Sequence, residues 1–157
     1  MNRSAIERLL ESRMIEAIQA DDDEVVGLWR KAIESCGDSE VGGMSRDGVF
    51  KLLYDAGRQA ATAFVAAHGY RAKGASGHHH SVLAAAAALA SESHADFFKQ
   101  MDLQRGRRHE IEYSAYSEID AEDIEELRGL VRSLINETAA ALRKVRPSIK
   151  QRIRKVR

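Results

Sequence analysis

Apolar residues recur along this chain at intervals of three and four, the spacing of one face of an α-helix. Ile6, Leu9, Leu10, Ile15 and Ile18 form a first stripe, opened by Ser4 and Glu7 at capping-box spacing, and predict one helix up to Asp21. The run Asp21-Asp-Asp-Glu24 ends that helix and starts the next, because carboxylates are stabilised at a helix N-terminus. Val25, Val26, Trp29 and Ile33 make the second stripe, with Gly37 as the expected C-cap. Residues 38–46 are interrupted by glycine and serine and read as a loop. Asp47 is the expected cap of a third helix to about His68, with Val49, Phe50, Leu53, Ala56, Ala60, Phe64 and Ala67 on its inner face. Gly57 lies inside that pattern, where glycine costs about 1 kcal/mol against alanine. Its presence there predicts a close helix crossing.

Gly69 ends the third helix, and residues 70–77 are short, glycine-rich and basic through Arg71 and Lys73. An alanine-rich helix is expected from Ser81 to about Ser91, and its small side chains allow close neighbours. Ser93 is the expected cap of the next helix, whose face holds Phe97, Phe98, Met101 and Ile111. After a connection at 114–118, Asp120, Glu122 and Asp123 open a last long helix. Its stripe runs through Ile124, Leu127, Val131, Leu134, Ile135, Thr138, Leu142 and Val145, and Pro147 ends it. No stretch alternates in the manner of a strand, and no repeat is present. The fold class is therefore all-α: about six helices in an antiparallel bundle over residues 1–146, with a basic C-terminal tail at 147–157.

Length and composition fit one globular domain, with 157 residues and 44% apolar. The longest apolar run, Val82 to Ala90, is too short to span a bilayer, so no membrane association is expected. No basic-then-apolar leader opens the chain, and its one cysteine, Cys36, cannot form an internal disulfide. Both features point to a reducing cytoplasm. The net charge of zero hides a split. Residues 143–157 carry eight Lys/Arg and no acid, so the other 142 residues carry a balance of −8. Such a tail either binds nucleic acid, with salt-dependent and sequence-neutral affinity, or neutralises the acidic body.

Candidate chemistry gathers in three segments: Tyr54-Asp-Ala-Gly-Arg58, Gly77-His-His-His80 and Arg105-Gly-Arg-Arg-His-Glu-Ile-Glu-Tyr113. Histidine is the usual proton-transfer residue near neutral pH, and His80 with His79 or Ser81 can line a pocket. The alternative is a histidine run that begins a helix facing water. Asp55 and Arg58 stand three apart and either pair with each other or leave Arg58 as a phosphate contact. Arg108 and Glu112 stand one turn apart with the same choice. A helix of about twelve residues followed by one that returns over about nineteen would bring Arg108 and Tyr113 back level with His78–His80, at 1.5 Å per residue. Zinc-type Cys/His spacing, a glycine-rich phosphate loop and a nucleophile elbow are all absent from the sequence, so neither metal nor cofactor is expected.

Together these segments resemble the HEPN superfamily, small all-helical domains that include many RNA-cleaving toxins, over residues 45–142. HEPN ribonucleases carry an Arg, usually followed by a polar residue, and then a His with four to six residues between the Arg and the His. Here Arg108 takes the Arg place and His109 the polar place, and Tyr113 stands where the His belongs. A tyrosine, with an ordinary pKa near 10, is a poor base at neutral pH but can position a phosphate or stack on a base. The resemblance implies Arg108, His109, Tyr113 and a compensating His80 as catalytic residues. It implies Arg58, Arg105, Arg107, Arg108, His78 and His79 as RNA or nucleotide contacts. It also implies a homodimer through the helix carrying Phe97, Phe98 and Arg108, or its neighbour, and a nucleotidyltransferase-type antitoxin as partner. The expected function is RNA or nucleotide binding, with weak or lost endoribonuclease activity in a toxin–antitoxin or defence system. The alternative is a non-catalytic adaptor bundle that binds another protein.

Overall fold

The computed structural model describes residues 1–73, 78–113 and 119–153, with only the backbone of His78. Helices α1 (Arg3–Glu11), α2 (Asp22–Asp38), α3 (Arg46–Ala67), α4 (His78–Leu89), α5 (Glu92–Tyr113) and α6 (Ala121–Val145) form the expected all-α bundle. A 3-10 turn, Pro147–Ile149, follows α6. No helix among the described residues is long and apolar enough to cross a membrane.

Helix α3 is the central element, packed against α2, α4, α5 and α6. Its Phe50, Leu53, Tyr54 and Phe64 are all buried. The glycine at position 57 has the predicted consequence. A Cβ there would lie 2.6 Å from Met101 Cε and 3.0 Å from its Sδ, so α5 crosses α3 at this point because no side chain stands in the way. The alanine-rich helix α4 packs on α5, and its Val82, Leu83, Ala85, Ala86 and Leu89 all lie in the core.

The helix termini are set by shorter-range chemistry than the stripes suggest. Asn2, not Ser4, caps α1 by accepting from Ala5 N at 3.1 Å, while Ser4 Oγ accepts from Arg8. Ser45, not Asp47, caps α3 by accepting from Gly48 N at 3.2 Å. Helix α2 runs through Gly37 to Asp38, and α5 begins at Glu92 ahead of Ser93. Asp21 caps α2 and Asp120 caps α6, the latter in a full capping box with Asp123.

The first stripe is not one helix. Arg13 adopts φ +55, its N–H reaches Leu10 O and the Met14 N–H reaches Leu9 O. This is a Schellman stop built without glycine. The chain beyond it is extended: β1 (Ile15–Ala17) pairs antiparallel with β2 (Tyr70–Ala72), in register Ile15 with Ala72 and Ala17 with Tyr70. Gly69, at φ +85, turns the chain from α3 into β2, and its carbonyl accepts from Ile18 N. So the expectation of no strand is corrected by a short ribbon that buries Ile15 without a helix.

The C-terminal tail is also corrected, because residues 147–153 pack on the body. Ile149 and Ile153 are buried. Arg146 donates to Ala20 O at 2.9 Å, Ala67 O at 3.2 Å and Asp22 Oδ1 at 3.1 Å, and so joins the ends of α3 and α6 to the start of α2. Arg152 pairs with Asp23 and Arg71 with Glu24. Hydrogen bonds from Ser148 and Arg146 hold the Asp22 carboxyl below its usual pKa. Asp22 and Asp23 at the start of α2 thus take up charge from Arg146 and Arg152 of the basic segment.

Candidate functional site

The crossing at Gly57 fixes what lies one and two turns away. Tyr54 is three residues before Gly57 on α3, and Arg108 is seven residues after Met101 on α5. Both therefore sit on the facing sides of their helices, which run antiparallel here. The Arg108 guanidinium carbon lies 5.7 Å from the centre of the Tyr54 ring. The His79 ring, from the first turn of α4, approaches the same tyrosine with ring centres 5.8 Å apart. Three helices thus bring an arginine, a histidine and a tyrosine to one place, and Arg108 and His79 lie within about 12 Å of each other.

A second network adjoins the first. His80 Nδ1 lies 2.9 Å from Asp102 Oδ2, and Asp102 Oδ1 accepts from Arg105 Nε at 3.1 Å. A carboxylate only accepts, so this contact places the proton of neutral His80 on Nδ1 and leaves Nε2 with its lone pair. Arg58 lies one turn after Tyr54 and donates to Asp55 at 3.2 Å. Arg108 donates to Glu112 at 2.7 Å.

Two polar atoms in the cluster have no partner among the described residues: Tyr54 Oη and Arg108 Nε, both closed to solvent. Burial pushes the Tyr54 phenol up to about 12; Asp102 adds to the rise, while Arg58, Arg108 and Arg105 oppose it. The phenol therefore stays protonated at any physiological pH and keeps an O–H to donate. Two unpaired donors on neighbouring side chains offer a place for an acceptor, since a buried polar atom left unpaired costs about 1–3 kcal/mol.

Other expected site residues lie elsewhere. The rings of His109 and Tyr113 lie with centres 4.5 Å apart and planes tilted at 45°, and Tyr113 is 74% exposed. Helical rotation sets His109 about 100° and Tyr113 about 140° around α5 from Arg108, so the expected grouping of Tyr113 with Arg108 is corrected. Arg107 turns to α6 and pairs with Asp123 at 2.6 Å. The side chain of His78 lies outside the described residues. On α5, Phe98 is buried, Phe97 is half-buried against the core, and Leu103 and Tyr113 are exposed.

Sequence reasoning passed over Asp102 and the phenol of Tyr54. Asp102 carried a signal, because it stands three residues before Arg105 on the turn that follows the crossing. Among the described residues no three His, Cys, Asp or Glu side chains group as metal ligands. Comparison with family models, with curated proteins and with solved structures gives no match to this chain.

Proposed function

We propose that the α3–α4–α5 face around Tyr54 binds RNA or a nucleotide through a phosphate, in a HEPN-like domain whose ribonuclease activity is weak or lost. The observation that carries this reading is the meeting of two unpaired donors, Tyr54 Oη and Arg108 Nε, beside the His79 ring. A phosphate oxygen satisfies both, and a guanidinium fork matches phosphate geometry. Arg58 lies one turn after Tyr54 on α3, and Arg105 one turn after Met101 on α5, so both arginines border the site.

A ligand reaches these atoms by parting Arg108 from Glu112. The energies allow it. An exposed pair one helical turn apart is worth about 0.3–0.5 kcal/mol, whereas a hydrogen bond to a charged group contributes about 1.5–3 kcal/mol. His109 and Tyr113 offer an exposed aromatic surface on the same helix, suited to stacking on a base of a single strand. The same reading includes a homodimer, with a nucleotidyltransferase-type protein as partner.

One observation favours the adaptor reading. Arg58, Arg105, Arg107 and Arg108 each already face an acid of their own chain. A cluster that is internally neutral fits a protein partner as well as a polyanion. Fluorescence anisotropy with a labelled single-stranded oligoribonucleotide separates the two. RNA binding predicts saturable binding that weakens with salt and falls at least about tenfold in Arg108→Ala, the loss of one charged hydrogen bond. No binding at low salt, or equal binding by Arg108→Ala, leaves the adaptor.

A further inference from the structure

We infer that Asp102 is a positioning residue for His80, and that this pair performs the proton transfer that neither His109 nor Tyr113 is placed to perform. The inference rests on the proposed phosphate site and assigns its chemistry. The Asp102 carboxylate ties His80 Nδ1 at 2.9 Å and is itself held by Arg105 at 3.1 Å, so the ring has one fixed tautomer and one fixed face. The His80 side chain is 46% exposed, and its free Nε2 can meet a substrate, whereas Asp102 is more covered, at 27%. His80 follows His79, whose ring meets Tyr54, and Asp102 follows Met101 at the Gly57 crossing, so the pair adjoins the phosphate contacts.

An imidazole with a free Nε2 beside a bound phosphodiester calls for a substrate with its own nucleophile within reach, and the ribose 2′-hydroxyl is that group. Nε2 takes the 2′-hydroxyl proton, and the oxygen attacks phosphorus. The bond from phosphorus to the 5′-oxygen breaks. The imidazolium then returns its proton to the leaving 5′-oxygen. The products are a 2′,3′-cyclic phosphate and a free 5′-hydroxyl, with no water consumed and no group oxidised or reduced. Arg108 and Tyr54 stay on the non-bridging oxygens as charge gathers there. DNA lacks the nucleophile and would be bound but not cut.

The test uses the full chain with a fluorescein-labelled single-stranded oligoribonucleotide and its all-deoxy counterpart. The expected result is cleavage of the RNA alone, with cyclic phosphate ends. His80→Gln and Asp102→Asn are expected to lower kcat by at least about a hundredfold, the usual contribution of general acid–base catalysis. Their dissociation constants are expected to stay within a factor of about three of wild type. Asp102→Glu recovers part of the rate, which a merely structural role for Asp102 would not give. Ring nitrogen chemical shifts supply a readout besides rate: the His80 proton sits on Nδ1 in the wild type and loses that preference in Asp102→Asn. RNA that is bound but not cut by the wild type overturns the dyad and leaves the binding reading standing. Cleavage with unchanged kcat in His80→Gln does the same. Failure to bind RNA at low salt removes the binding reading, and this inference with it.

Discussion

Deleting everything after Val145 should destabilise the protein severely. The cut removes Ile149 and Ile153, both buried, together with Arg146. Burying an isoleucine side chain is worth about 1.5–3 kcal/mol, so the pair accounts for about 3–6 kcal/mol. Arg146 bridges Ala20, Ala67 and Asp22, and its loss adds about 1 kcal/mol, since the freed carbonyls regain water. The exposed Arg152–Asp23 pair adds little. The total, about 4–7 kcal/mol, is a large part of the 5–15 kcal/mol that holds a typical domain together. At about 2–4 °C per kcal/mol for a chain of this size, the melting temperature should fall by about 8–28 °C. Circular dichroism at the helix band during a thermal scan measures it. Ile149→Ala and Ile153→Ala, each expected to cost about 2–5 kcal/mol, test the same contacts with the chain intact. A truncated protein that melts within about 3 °C of the full chain would show that the segment is a solvated extension and that its packing contributes nothing.

Gly57→Ala should destabilise by about 1–3 kcal/mol through the clash with Met101, and the double variant with Met101→Ala should cost less than the two singles combined, as a double-mutant cycle by denaturant unfolding reports. Arg13→Gly should stabilise by up to about 1 kcal/mol, because glycine adopts φ +55 without strain, and a rise in the denaturant midpoint checks it. Burial holds His94 down from 6.5 to about 4, opposed by Glu137. The unfolded chain therefore binds the extra proton first, and stability is full above about 6.5 and is lost as pH falls towards about 4. Burial also lowers the pKa of His68, so His94→Gln should flatten this acid limb without abolishing it, as urea midpoints across that range would show.

Much of the bundle could be read from the chain because single helical stripes each bury one face: α2, α3 and α6 follow their stripes closely. Gly57 was informative because a glycine inside a long apolar pattern has few reasons other than close approach. The first stripe misled for a physical reason. Ile15 and Ile18 keep helical phase with Ile6, but Arg13 adopts the left-handed conformation that glycine usually takes, and nothing in its type announces that. Ile149 and Ile153 read as part of a basic tail because charge dominates their neighbourhood, while burial there depends on Arg146 meeting carbonyls more than seventy residues away. The site was half legible. The arginines and histidines were visible as types, but which ones converge depends on the rotation of α5 about its axis. That rotation is set by Met101 in the Gly57 notch, and it turns Arg108 inward and Tyr113 out.

The most direct test of the acceptor site is the affinity of Tyr54→Phe for single-stranded RNA, measured beside wild type at the same low salt. Phenylalanine keeps the ring against Arg108 and His79 and removes only the unpaired hydroxyl. Because that hydroxyl has no partner among the described residues, its removal should leave stability unchanged or raise it. If the hydroxyl donates to a phosphate, the dissociation constant should rise by about tenfold, the worth of one hydrogen bond to a charged group. An affinity equal to wild type would contradict the account, because the phenol would then be an unpaired core group with no part in binding.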